Sequence, residues 1–185
     1  MNAFGFVFAA SLAGLAAASA ASAQGVGAPM REAVAAEIRD CRAGTDVAMP
    51  VIAWGADGVT LQANGGGFET APGPLADAGW SLALSLQDAF AEQLEDYLSC
   101  GSPFLRGTLG MLVAAAPVTE ADPRTEQVVI FKHSWSAGDG IVAAEGISNA
   151  SDLAGKRIAV QAYGPHLDFV GRIVADAGLT LDDVE

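Results

Sequence analysis

The spacing of apolar residues along the chain marks out an alternation of short strands and helices. At 51–54 (VIAW) an apolar run is cut off by Gly55, the form of a short buried strand. Residues 81–86 (SLALSL) alternate polar and apolar with period two, a second strand. Between them, Asp57 stands where it could cap a helix reaching about residue 63. Asn64-Gly65-Gly66-Gly67 breaks that helix, Pro72-Gly73-Pro74 marks loop, and 75–79 allows one helical turn. Asp88 then caps a helix over 89–99, with Phe90, Leu94, Tyr97 and Leu98 on one face.

The same reading continues to the end of the chain. Residues 104–108 read as a third strand and 109–116, apolar and small, as a buried helix. Residues 127–132 (QVVIFK) read as a fourth strand, the glycine-flanked 138–144 as a crossing strand, and 157–161 as a fifth. Ser148 and Asp152 fit helix-start chemistry ahead of Leu153. The last helix begins at Pro165 or His166 and stops at Gly178, with proline at the first helical position and glycine just past the end. Upstream, 31–42 (REAVAAEIRDCR) has helical spacing.

Strands alternating with helices predict an α/β fold, a mostly parallel sheet with helices on both faces. The organisation expected is a signal peptide at 1–23, a lead-in at 24–49, a first lobe at 50–146 and the start of a second lobe at 147–185. In such sheets ligands bind beyond the carboxyl ends of the strands. That rule nominates Trp54 and Gly55, Arg106 and Thr108, Ser134, Trp135 and Ser136, and Gln161, Tyr163, Gly164 and His166. Rings, hydroxyls, amides and an imidazole give the mixture a small-molecule pocket needs.

Composition narrows the picture. A chain 51% hydrophobic and 17% charged is globular in type. Its net charge of −13 argues against nucleic acid and anionic membrane surfaces as partners. The first 23 residues carry no charge, and Ala21-Ser22-Ala23 fits an A-x-A cleavage site. Export to the periplasm is therefore expected, with a membrane anchor as the alternative for the same stretch. In an exported chain the two cysteines, Cys41 and Cys100, are expected to pair. The helix after the second strand runs back to the N-terminal edge of the sheet, where Cys41 also falls. Two separate thiols remain the other reading.

Two local patterns carry the candidate chemistry. In 161–166 (QAYGPH), Gly164 permits close backbone approach and the free N–H groups after Pro165 sit at the positive end of a helix dipole. An ordinary strand-to-helix turn has the same form. Arg106 opens the 109–116 helix and could clamp an anion in bidentate fashion, or pair with one of the 22 acidic residues. Ser134, Trp135 and Ser136 could supply a ring and two hydroxyls, or a Trp packed in a seam. No G-x-S-x-G, H-E-x-x-H or P-loop pattern occurs, so a binding protein is expected rather than an enzyme. Two histidines and no C-x-x-C leave no expected metal or cofactor.

Four segments together resemble a known family: Trp54-Gly55 after its strand, GWSLALSLQDAF followed by PFLRGTLGM, FKHSWSAGD, and DLAGKRIAVQAYGPHLDF. They are similar to ABC-transporter solute-binding proteins of the nitrate/taurine/sulfonate and thiamine-precursor type. The resemblance spans about 50–185. It implies a type 2 periplasmic-binding-protein-like fold with two lobes that close on a small polar or anionic solute. It also implies a membrane permease as partner and a monomeric state. A ligand-sensing periplasmic domain of a signalling protein, or a thiamine-pyrimidine-synthase-like enzyme, would share the fold. A complete member continues through most of a second lobe, so ending at Glu185 implies a fragment or a truncated product.

Overall fold

The computed structural model describes residues 30–41, 44–135 and 138–185. The expected signal peptide and Ser136 lie outside the described residues. Along the chain come α1 (Met30–Ala33), β1 (Asp46–Val51), a 3-10 turn (Gly55–Asp57), α2 (Gly58–Ala63) and α3 (Pro74–Asp77). Then follow β2 (Ser81–Leu86), α4 (Phe90–Leu98), α5 (Leu109–Thr119), a 3-10 turn (Ala150–Leu153), α6 (Pro165–Asp176) and a last 3-10 turn (Leu181–Asp183). The protein is a small α/β fold with one two-stranded parallel sheet among the described residues.

β1 pairs with β2 from Asp46 opposite Ser81 to Val51 opposite Leu86. The ladder is bracketed by Ser81 N–H on Thr45 O and Gln87 N–H on Val51 O. Odd-numbered residues of β1 thus turn their backbone groups toward β2, and Pro50 turns its missing donor away from the ladder. This is why the strand runs through Pro50 and ends at Val51, not at Trp54 as the apolar run suggested. In β2, Leu82 and Leu84 are buried and the serines are exposed, as the alternation required. With Val51 they form the sheet's core, packed by Leu61, Leu75 and Trp80.

The expected five-stranded sheet does not form, because side chains block both edges of the pair and, on the β2 side, the backbone of 68–69 makes only an isolated antiparallel bridge, Glu69 to Ala83. On the β1 side, Ser102 Oγ donates to Ala48 O at 3.0 Å, the carbonyl a third strand would use. Downstream, the Arg106 N–H goes to Gln93 Oε1, so 104–108 finds side-chain partners instead of a ladder. On the β2 side, Thr70 Oγ1 receives the Leu82 N–H at 2.6 Å and Phe68 O receives the Leu84 N–H. Residues 127–132 are likewise no strand. Val128, Val129, Ile130 and Phe131 are all exposed, so neither face is buried. Residues 138–144 are irregular too, with Val142 fully exposed. Segment 157–161 has only the start of a pairing. Glu185 donates to Lys156 O and its carbonyl accepts from Ile158 N–H, the parallel pattern around Arg157.

The second core lies between helices. Phe90, Leu94 and Leu98 of α4 meet Met30, Met111 and Ala115. α5 buries Met111, Ala115 and Thr119, four residues apart, while Leu109 and Val113 are exposed. It is half-covered rather than buried, because α1, α4 and α6 meet only part of its surface. The expected helix at 31–42 is one turn long. Beyond it Val34, Ala36 and Ile38 pack alternately on the Phe90 cluster, a period of two where helical spacing was expected. Cys41 and Cys100 are joined in a disulfide, with Cα atoms 5.3 Å apart. A third core, Leu153, Val170 and Val174 with Ile158, Val160 and Leu181, is built wholly from residues after 146.

Candidate functional site

Beyond the carboxyl ends of β1 and β2 the backbone and side chains close a circuit. Gln87 N–H bonds Val51 O, and Gln87 O receives Gln93 Nε2 at 2.7 Å. Gln93 Oε1 receives the Arg106 N–H at 2.9 Å, and Arg106 Nε donates to Asp57 Oδ1 at 2.7 Å. Asp57 Oδ2 receives the Ile52 N–H at 3.0 Å, returning to the end of β1. Each junction has a local cause. Gln93 lies on the buried face of α4 with Phe90 and Leu94. The 3-10 turn after Trp54 swings Asp57 inward, where it is 2% exposed.

Asp57 and Arg106 form a buried ion pair, their side chains 3% and 10% exposed. Burying both charges is costly unless their remaining donors and acceptors are met. Here they are not all met. Among the described residues, the buried side-chain polar atoms without a hydrogen-bond partner are Arg106 Nη2 and His133 Nδ1. His133 Nδ1 stands 3.6 Å from Asp57 Oδ1, outside hydrogen-bond reach. The ring of Trp54 lies over the guanidinium, 5.2 Å from centroid to Cζ, and Trp54 itself is exposed. Asp88 adds a second carboxylate at the same tips. Its Oδ1 receives the Ala53 N–H at 2.7 Å, and its carbonyl receives Gln161 Nε2 at 2.9 Å.

Of the residues nominated from sequence, Trp54 and Arg106 meet directly, and Gln161 reaches the same tips through Asp88. Gly55, itself exposed, begins the 3-10 turn that carries Asp57 inward. The others have local roles. Thr108 caps α5, its Oγ1 accepting the Met111 N–H at 3.3 Å. Ser134 bonds its neighbour's carbonyl, and Trp135 is exposed with Lys132 Nζ 5.3 Å from its ring. Tyr163, at φ 55°, packs on the Phe90 cluster. Gly164 caps α6 where a Cβ would lie 2.9 Å from Gln161 Cβ. His166 Nε2 stands 3.9 Å from Asp139.

Two hollows among the described residues do not gather these side chains. One, at the glycine-rich turn, is lined by Gly58, Gln62, Gly65 and Pro72 among others. A second, of ≈ 680 Å³, lies between 140–144 and 156–161 and takes in Gln161 and His166. Neither is lined by Trp54, Thr108, Trp135 or Tyr163.

Sequence reasoning missed Asp57 as Arg106's partner, reading it only as a helix cap, and saw in Asp88 a cap when Ala89 fills that place. The one available sign was that Arg106 left two readings open, clamp or ion pair. Among the described residues no cluster of His, Cys, Asp and Glu could hold a metal, and no helix is long and apolar enough to cross a membrane. No family model, curated protein or solved structure matches the chain.

Proposed function

We propose that this chain is the solute-binding component of an ABC-type import system, a lobe of the type 2 periplasmic-binding-protein kind. It captures a small polar molecule at the tips of β1 and β2 and delivers it to a membrane permease. The observation that carries this reading is the convergence of Trp54, Arg106 and, through Asp88, Gln161 beyond the carboxyl ends of two parallel strands. Open parallel sheets bind ligands there. An aromatic ring above a buried guanidinium with a spare donor gives both an apolar wall and a directional contact. Export is supported by the uncharged N-terminal stretch with its A-x-A site and by the Cys41–Cys100 bond.

Calorimetry of the whole chain against nitrate, sulfonates, carboxylates and pyrimidines tests the proposal. At least one class binds, and Trp54→Ala weakens it tenfold or more. Absence of binding across the panel, or unchanged affinity in Trp54→Ala, refutes it.

A further inference from the structure

We infer that the seat at the strand tips takes an uncharged carbonyl oxygen in preference to the oxygen of an anion, an inference that rests on solute capture at this site. Arg106 Nη2 and His133 Nδ1 are both buried without a partner and both belong to groups that face Asp57. A guanidinium nitrogen can only donate. At Arg106 what the seat lacks is therefore an acceptor.

It does not lack negative charge. Asp57 already neutralises Arg106 from 2.7 Å. Asp88 stands at the same tips through its bond to Ala53. The other cation nearby in sequence, Lys132, lies over Trp135. Asp57 and Arg106 sum to zero within the buried pair, and the exposed Asp88 carries a further negative charge, in a chain of net charge −13. A carboxylate or sulfonate oxygen placed on Arg106 Nη2 would add an uncompensated charge to an already neutral pair where the Arg106 side chain is 10% exposed. That costs more than the hydrogen bond returns. A neutral amide, urea or ketone oxygen offers the same lone pairs without the charge. The exposed Trp54 ring covers the guanidinium and is the group such a solute meets first.

Matched probes decide the matter: nicotinamide against nicotinate, benzamide against benzoate, and N-methylacetamide against acetate. Each is titrated into the ¹⁵N-labelled whole chain while the Trp54 indole N–H and Arg106 Nε–H resonances are followed. The amide of each pair moves both resonances at a concentration at least tenfold lower than its carboxylate. Asp57→Asn, which leaves Arg106 without its counter-charge, reverses that order. Carboxylates that match or beat the amides on the parent protein overturn the inference while leaving solute capture standing. If no probe moves either resonance the inference also falls, and capture falls with it only if the calorimetric panel is silent too. Should Asp57→Asn give no cooperative thermal melt, the parent comparison alone decides.

Discussion

Replacing Arg106 with methionine tests whether the ion pair at the strand tips holds the fold as its geometry implies. Methionine keeps much of the apolar stem and removes the charge. Asp57 would then be 3% exposed with one bond left, from Ile52 N–H. Stranding a buried charge in this way costs about 3–4 kcal/mol. For a chain of this size that lowers Tm by roughly 10 °C. Asp57→Asn alone strands Arg106 instead and costs about 3 kcal/mol. In the double variant neither charge remains, and the introduced amide's carbonyl still accepts the Ile52 N–H. Its cost falls to about 1–2 kcal/mol, below either single change. Urea unfolding of all four proteins, followed by circular dichroism, gives the cycle directly. Arg106→Met within about 1 kcal/mol of the parent, or a double variant equal to the sum of the singles, would refute the reasoning.

Three further outcomes follow from other parts of the structure. Reducing Cys41–Cys100, whose partners are 59 residues apart, lowers stability by about 4 kcal/mol on the chain-entropy model, read as a shift in urea midpoint with and without reductant. Gly65→Ala loses at least about 2 kcal/mol in the same assay, since φ is +88° and the new methyl would sit 2.7 Å from Ala71 Cβ. The carboxyls of Asp152 and Asp183 are held below the ordinary range, chiefly by the Ser148 and Thr180 backbone N–H groups respectively. Their folded values lie below the unfolded one, about 3.9 for an aspartate, so their contribution is full above it and is lost as pH falls through the lowered values. Melting curves from about pH 5 downward should therefore lose less in Asp152→Asn than in the parent.

Where local chemistry and tertiary partner agree, the sequence is legible. β2 can be read directly because alternation and burial coincide from Ser81 to Ser85, though Leu86 at its end is exposed. The bounds of α6 can be read nearly to the residue because Pro165 starts it and Gly178, at φ +76°, ends it. The strands that fail to form share one cause. A strand exists only when another backbone takes its donors and acceptors, and apolar runs such as 128–131 carry no information about that partner. Ser102, Thr70 and Asn64 take those positions through side chains. The site shows the same limit. Trp54 and Arg106 are visible as residue types at strand ends. The Asp57–Arg106 pairing, across 49 residues, has no local signature.

The two readings that Arg106 leaves open in the sequence are not exclusive. Arg106, held to Asp57 by Nε, leaves its buried Nη2 without a hydrogen-bond partner. The bond to Asp57 and the backbone bond to Gln93 fix where that nitrogen points. Holding the group in place before a solute arrives removes the ordering cost that a free arginine would bring to binding. The same carboxylate that orients the fork also neutralises it, and so changes which oxygen the fork can accept. Asp57 is thus a positioning residue and a selectivity residue at once. Thermal stability and probe preference should therefore change together when it becomes asparagine, and a variant that shifts one without the other would separate the two roles.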